Sequence, residues 1–391
     1  MVRIFVCLIL IEGFLMAATL THLPREGGET ALIIEEDHAL PIVSMQLVFL
    51  GSGSVANGKS AGLASLASDL LNEGTKKLGS VGFARALEER AIHINVNASR
   101  EILVIELSAL SEQFDAGLDL LIQLLKDPNL TESTVVKIKK RAISELSRKE
   151  SDFDYVANVG LQALLYKGTI LEQPTDGTIK SIGKITLKAI DSYLKTALVS
   201  DRAVLLFGGD LGEKEARERG AKLLAVLPKG AAANLHKIAA ATVGKSEIVK
   251  KETQQAYIYF GSPFDLDLAS EESYKATVTS FILGGGGFGS RIMEEIRVKR
   301  GLAYSASGQI SLGMSTSAFR GHLQTKLESA DEAQKLVRSV IADLVSGGAN
   351  AKELEEAKRF LLGSEPLRNE TMNQRLSRTF SDFYRGKPYA A

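Results

Sequence analysis

Residues that could carry metal, nucleophilic or acid–base chemistry are few in this chain and far apart. No two of its five histidines share a helical turn, and they are His22, His38, His93, His236 and His322. A helical zinc motif has two histidines four residues apart on one face, so this scatter argues against such a motif anywhere in the chain. No serine is accompanied by a placed histidine, and neither is the single cysteine, Cys7. A self-sufficient serine or cysteine hydrolase therefore ranks last among the candidate functions.

A run of glycines is the most conspicuous motif of the second half. Gly284 to Gly287 are consecutive, and Gly289 follows after one residue. The run comes after an apolar helical segment rather than a strand, and it lacks a Lys-Ser/Thr pair. A phosphate-binding loop is therefore a weak interpretation, and flexible backbone at a helix–helix junction is the alternative.

The charge balance excludes some classes of partner. Lys and Arg together number 47, as do Asp and Glu, so the formal net charge of the 391 residues is zero. Proteins that bind nucleic acid or anionic membranes usually carry a basic excess, and this chain also lacks tryptophan. We predict no nucleic-acid partner. The length and the 45% hydrophobic content suffice for two or more folded domains.

The elements that must position any site occur twice along the chain. In the first half, alternating or helical spacing of apolar residues predicts strands at 41–55, 93–98 and 102–109, and helices at 60–73, 81–91, 111–126 and 131–149. Thr131 is placed to cap the last of these helices. The second half repeats the order, with strands at 250–264, 302–311 and 315–325 and helices at 273–285, 291–301, 329–348 and 350–368.

This repeat predicts an α+β protein of two homologous domains. Each domain is a mostly antiparallel sheet with helices packed on one face. We place the domains at 21–227 and 247–391, joined by an Ala/Gly/Lys-rich linker at 228–246. The first half closes with a Thr186-capped helix and a strand near 202–207. The sequence stops where their counterparts would begin, so the second domain is expected to be truncated at its C-terminus.

The first twenty residues have the layout of a secretory signal. Arg3 precedes an apolar run from Ile4 to Ala18 that ends in small residues, although Glu12 interrupts it. The alternatives are a mis-assigned start and a short membrane anchor. A cleaved signal predicts a periplasmic or secreted bacterial protein without cysteine and without membrane association.

Two segments give the chain a specific resemblance. The segment at 62–75, GLASLASDLLNEGT, follows a strand and a GxG turn, and the segment at 282–308 reads ILGGGGFGSRIMEEIRVKRGLAYSASG. Both resemble pitrilysin/insulinase-type zinc peptidases, a family that includes insulin-degrading enzymes and mitochondrial processing peptidases. The resemblance runs from about residue 30 to the end.

The resemblance implies where a zinc site should be, and the residues there cannot form one. Active members carry His-x-x-Glu-His on the first helix, with a glutamate ligand on a later helix. The two histidine positions are Ser65 and Asp69 in this chain, the general-base position is Ser68, and the third ligand position is Glu145. Two carboxylates without imidazole make a poor zinc site, so we expect no metal in this chain and a solvated or salt-bridged role for the carboxylates.

The second segment retains the other half of the family's site. By resemblance, Arg297 and Tyr304 reach towards the metal, bind the substrate backbone and stabilise the oxyanion; otherwise they are a solvated arginine and a packing tyrosine. Gly285 and Gly286 correspond to a glycine stretch that helps to admit substrate in relatives. Residues 92–101 resemble the edge strand that a peptide joins, with Asn95, Val96, Asn97 and Ala98 as substrate-binding positions, or else they form an ordinary paired strand.

These expectations combine into one functional hypothesis. The chain is predicted to be the non-catalytic subunit of a heterodimeric peptidase, with Arg297 and Tyr304 acting in trans on a zinc-bearing homologous partner that cleaves unfolded peptides. It is predicted to be inactive alone. The alternative is a peptide-binding or scaffold homologue without any proteolytic role.

Overall fold

A six-stranded sheet forms the first half of the protein. The structure, a computed structural model, describes residues 18–386, so most of the predicted signal segment and Cys7 lie outside the described residues. The strands are β1 Thr19–Arg25, β2 Gly28–Glu36, β3 Ile42–Leu50, β4 His93–Ala98, β5 Ile102–Leu110 and β6 Ala203–Gly209. Their order is β1-β2-β6-β3-β5-β4, and every neighbouring pair is antiparallel except β2 and β6.

Within residues 18–386, the first half of the chain contains eight α-helices. They are α1 Leu63–Leu71, α2 Gly79–Glu88, α3 Phe114–Lys126, α4 Glu132–Lys149, α5 Phe153–Leu165, α6 Ile179–Lys184, α7 Leu187–Ala197 and α8 Glu213–Leu224. The apolar positions of α1 are buried in the core, as its spacing predicts. Thr131 accepts a hydrogen bond from the Thr134 N–H, and Thr186 accepts one from the Ala189 N–H. Both predicted N-caps are therefore confirmed.

The second half builds a smaller antiparallel sheet. Its strands are β7 Gln255–Pro263, β8 Ala303–Leu312 and β9 Ser317–Lys326, in the order β7-β9-β8. Its helices are α9 Ser273–Ser280, α10 Arg291–Met293, α11 Ala330–Gly347, α12 Ala351–Gly363 and α13 Met372–Tyr384. Helices α9 and α10 each run on into a π-helical turn, Phe281–Gly285 and Glu294–Val298. Two mostly antiparallel sheets with associated helices are what the repeat predicts; the π-helical turns were not predicted.

The two halves exchange helices. Helix α5 of the first half packs on β7 of the second sheet. Helix α13 of the second half packs on β2 and β6, where Leu376 joins Ile33 and Leu206 on the face turned away from the main core. The two faces of the first sheet are therefore covered by different parts of the chain. Sequence periodicity predicted neither α13 nor this exchange.

Polar contacts connect the same two halves. Glu101, in the turn between β4 and β5, accepts hydrogen bonds from the Ser315 N–H at 2.6 Å and from the Tyr384 hydroxyl at 2.7 Å. The Thr316 hydroxyl donates to the Tyr166 hydroxyl at 2.6 Å. Since one carboxylate holds both the β8–β9 turn and α13, the halves are joined by hydrogen bonds as well as by apolar packing. Within residues 18–386, no helix is long and apolar enough to cross a membrane.

Candidate functional site

Helix α1 carries the positions where the zinc motif is expected. Leu66 and Leu70 anchor the helix in the core. The Ser68 side chain is buried, and its hydroxyl donates a hydrogen bond to the Ala64 carbonyl at 3.0 Å, within the helix itself. Ser65 and Asp69 are half-buried on the same helix. The scaffold of the motif is therefore present, while the base position holds a hydroxyl that is turned back to its own backbone.

An arginine, rather than a metal-binding cluster, lies beside Asp69. The Arg141 guanidinium is 3.4 Å from the Asp69 carboxylate and 3.2 Å from that of Glu73. Lys137 approaches Glu73 at 2.6 Å. Arg141 lies one helical turn before Glu145 on α4, so a cation is fixed between the two helices that would have to hold the metal. Across residues 18–386, no three His, Cys, Asp or Glu side chains are grouped so that they could bind a metal ion.

The titration behaviour of the two carboxylates reflects these neighbours. Burial raises the pKa of Asp69, the Arg141 charge opposes that rise, and the negative charge of Glu145 adds to it. Burial also acts to raise the pKa of Glu73, but hydrogen bonds from Lys137 and Ser80 outweigh it, so this pKa is lowered. Zinc would meet oxygen ligands only, next to a guanidinium that repels it. The residues present therefore do not fit a zinc ion.

Glu73→Gln tests the structural role of this ion-pair cluster. Loss of the buried charge leaves Lys137 and Arg141 with weaker partners, and we expect the free energy of unfolding to fall by about 2 kcal/mol at neutral pH. In the wild type, the ionised Glu73 stabilises the fold fully above the pKa that it has in the unfolded chain. This stabilisation is lost as the pH falls through the lower pKa that Glu73 has in the folded protein. The free energies of unfolding of the two proteins should therefore converge in acid. Urea denaturation at neutral and at acidic pH measures this difference. Glu89→Gln, which removes an exposed pair with Arg85, is the control; equal losses would contradict the assignment.

Arg297 and Tyr304 form a second cluster, at one end of the smaller sheet. The Arg297 guanidinium carbon is 4.7 Å from the Tyr304 ring centre and 4.6 Å from that of Phe288. The cation is thus held between two aromatic rings, an arrangement that is stabilising without using its N–H groups. Within the described part of the chain, the Arg297 side chain has no hydrogen bond and no ion pair with a carboxylate. Its donors are therefore available to a ligand.

Local backbone irregularities place these side chains. Arg297 lies in the π-helical turn after α10, and Gly301, at a φ of +61°, carries the chain from that turn into β8. The pairing of β8 with β9 shifts register between Ala303 and Ser305, so Tyr304 is the extra residue of a β-bulge. Tyr304 is 79% exposed. Bulges commonly redirect a side chain next to a functional site, and here the bulge turns Tyr304 towards Arg297.

The glycine run has a packing role and presents an aromatic side chain. A Cβ on Gly284 would lie 2.3 Å from the Gly308 nitrogen, so the π-helical turn approaches β8 more closely than any larger residue allows. Gly285 is exposed and Gly286 half-buried, next to Phe288. Sequence reasoning did not single out Phe288. A lone aromatic residue inside a glycine run is the signal that could have identified it, because such a ring has little core to enter.

Strand β4, with Asn95 to Ala98, is the edge strand of the larger sheet. It pairs with β5 only, and its outer edge lies next to α1. The Asn95 amide donates to the Glu106 carboxylate at 3.4 Å, whereas the Val96 backbone N–H donates to the side chain of Asn72, the residue that follows α1. Among the described residues, no hydrogen bond or ion pair connects Arg297 or Tyr304 to α1 or α4. The two clusters are therefore separate sites within this chain.

Two family models and several known proteins match the sequence of this chain. Residues 32–179 match the family model described as insulinase (peptidase family M16), and residues 184–361 match the model described as peptidase M16 inactive domain. A Helicobacter pylori protein described as the non-peptidase homolog YmxG is 40% identical, over 96% of this chain and 86% of that protein.

Two further relatives extend the comparison. The human mitochondrial-processing peptidase subunit beta is 24% identical over 47% of this chain and 37% of its own length. The crystal structure of a peptidase M16 inactive domain from Pseudomonas fluorescens superposes with a TM-score of 0.84 at 26% identity. It covers 95% of this chain and 88% of that one.

Proposed function

Because the chain belongs to the M16 (insulinase) peptidase family, we propose that it is a non-peptidase subunit that provides Arg297 and Tyr304 to the zinc site of a homologous partner. The observation that supports this most is the surroundings of the Arg297 guanidinium. Its guanidinium is oriented by two rings, and no carboxylate in the described residues neutralises it. Arginines without a structural partner usually extend into solvent, whereas this one is fixed with its donors free.

The chemistry proposed for this pair is electrostatic. During peptide hydrolysis, negative charge develops on the carbonyl oxygen of the scissile bond, and fixed N–H and O–H donors lower the barrier. Arg297 supplies a permanent charge and Tyr304 a neutral hydroxyl donor. The zinc ion, bound by the partner, would supply an activated water molecule. In this chain Asp69 and Glu145 have no catalytic part.

The proposed substrate is an unfolded peptide in extended conformation. Its backbone would lie along β4 at Asn95 to Ala98, a mode of recognition that tolerates many sequences because main-chain groups carry the affinity. Gly285 and Gly286, exposed or half-exposed next to Phe288, would form the path by which the peptide reaches Arg297.

Reconstitution tests the proposal. The chain is expressed alone and together with a homologue that carries His-x-x-Glu-His, and metal content and cleavage of a casein substrate are measured for each. We expect no stoichiometric zinc and no cleavage for the chain alone, and a stable complex that cleaves faster than the zinc-bearing homologue alone. Zinc-dependent activity of the isolated chain, or the absence of any complex, would refute the assignment. Fractionation of the producing bacterium tests the proposed periplasmic location.

The second candidate function is a peptide-binding or scaffold protein without a part in proteolysis. The Helicobacter pylori relative described as a non-peptidase homolog favours it. Both candidates predict peptide binding. They differ in the reconstituted pair, because only the first requires Arg297 for the rate of cleavage.

A further inference from the structure

We propose that Asn72 closes the outer edge of β4 with its side-chain amide, and that a peptide binds there only by replacing this side chain. The inference rests on the proposed function, since it takes β4 as the peptide site, and it adds the residue that controls access. Asn72 follows the last residue of α1, so the helix that carries the lost metal positions also carries this closing group.

The geometry of the contact imitates an added strand. The Asn72 Oδ1 accepts a hydrogen bond from the Val96 N–H at 2.8 Å, and its Nδ2 donates to the Val96 carbonyl at 2.9 Å. One carboxamide thus satisfies both backbone groups of a single residue. A residue of a neighbouring antiparallel strand makes the same pair of bonds.

The position of the contact decides what it blocks. In an antiparallel pair, alternate residues direct both backbone groups to the partner strand or away from it. Since the Val96 groups meet Asn72, they point away from β5, and so do those of Ile94 and Ala98. No backbone bond outside the pairing of β4 with β5 is found for these two residues among the described ones. The Asn72 side chain therefore binds the middle one of the three residues whose backbone groups face outward from β4.

Exposure indicates that the contact is both protective and replaceable. Val96 is only 1% exposed, whereas Asn72 itself is exposed to solvent. The amide shields the edge backbone from water and from other chains, and unpaired edges are common sites of unwanted association. Because Asn72 is on the surface, an extended peptide can displace it and form the two lost bonds itself. A peptide that pairs with Ile94, Val96 and Ala98 gains more bonds than it breaks.

Asn72→Ala in the full chain tests this inference. The probe is a fluorescein-labelled unstructured peptide rich in Ser, Thr and Val, and its affinity is measured by fluorescence anisotropy. We expect Asn72→Ala to bind it about tenfold more tightly than wild type, because no internal amide competes. Asn72→Asp, which keeps the acceptor and loses the donor, should fall between them. Asn234→Ala, which removes an exposed linker amide with no hydrogen bond in the described structure, should bind like wild type.

Hydrogen exchange at the Val96 amide provides the second readout. The amide should exchange faster in Asn72→Ala and become protected again when the peptide is added. Equal peptide affinities, or tighter binding without protection of Val96, would overturn the inference and leave the role of Arg297 intact. Failure of both proteins to bind would also overturn it, since an opened edge that takes no strand is not a peptide site. Failure of the proposed function itself would appear separately, in the reconstituted pair.

Discussion

Replacing Arg297 by alanine is expected to lower the cleavage rate of the reconstituted pair by about 10²–10³-fold, the usual cost of removing one oxyanion donor. The Arg297 guanidinium lies between Phe288 and Tyr304 and has no carboxylate partner among the described residues. Its loss should reduce kcat far more than it raises KM, because the interaction strengthens as the oxyanion forms. Arg297→Lys should recover only part of the rate, since an ammonium lacks the planar fork that the rings hold in place.

Arg300→Ala is the matched control for this experiment. Arg300 lies in the same basic segment, but it is exposed and paired with the Glu295 carboxylate at 2.6 Å. Its loss should leave the cleavage rate within about twofold, a change worth less than 0.5 kcal/mol. Equal rates for Arg297→Ala and wild type, in a pair that still forms, would exclude the catalytic role and favour the peptide-binding or scaffold function.

The second large effect concerns stability. Arg375 of α13 is 2.5 Å from the Glu35 carboxylate of β2, whose side chain is 2% exposed. Removing one partner of a buried pair leaves an uncompensated charge, so Arg375→Ala should lower the free energy of unfolding by about 3–5 kcal/mol. We also expect α13 to leave the sheet before the core unfolds. Urea denaturation and hydrogen exchange of α13 measure the two effects.

The loss should depend on pH. Burial raises the pKa of Glu35, and the hydrogen bond and charge of Arg375 oppose that rise. In Arg375→Ala this hydrogen bond and this charge are absent. The pKa of Glu35 in the folded protein therefore rises further above its value in the unfolded chain. When the pKa of a carboxyl group is higher in the folded protein than in the unfolded chain, the folded protein loses stability as the pH rises from the lower of these two values to the higher. The variant should therefore be closer to wild type near pH 4.5 than at pH 7.

Arg378→Ala supplies the control for the stability experiment. Arg378 lies on the same helix, but its pair with Glu365 is about half-exposed at both ends. Exposed pairs contribute about 0–1 kcal/mol, so this substitution should cost little at either pH. If Arg375→Ala were no more destabilising than Arg378→Ala, the pair with Glu35 would not be what holds α13 to the first sheet.

Local sequence signals predicted many of the elements in their order, whereas β1, β2, α6, α8 and α13 were not predicted. The strand predicted at 41–55 is observed at Ile42–Leu50, and the apolar face of α1 and the caps at Thr131 and Thr186 agree with the structure. Periodicity and capping depend on neighbours along the chain, so the sequence can predict them. The absence of His-x-x-Glu-His at 65–69, and hence the expectation that this chain holds no zinc, also needed only the sequence.

Tertiary structure decided which residues meet. Arg141 beside Asp69, Phe288 beside Arg297, Asn72 beside Val96 and Arg375 beside Glu35 each join segments that no local pattern connects. Periodicity identifies the face that a helix buries but not the element that covers it, so the exchange of α5 and α13 could not be predicted. Sequence alone therefore determined that this chain lacks His-x-x-Glu-His at 65–69, because a motif is read from residue types and spacing. Its folding determined that the Arg141 guanidinium lies beside Asp69 and that the Arg297 guanidinium lies between two aromatic rings, because these contacts join separate segments of the chain.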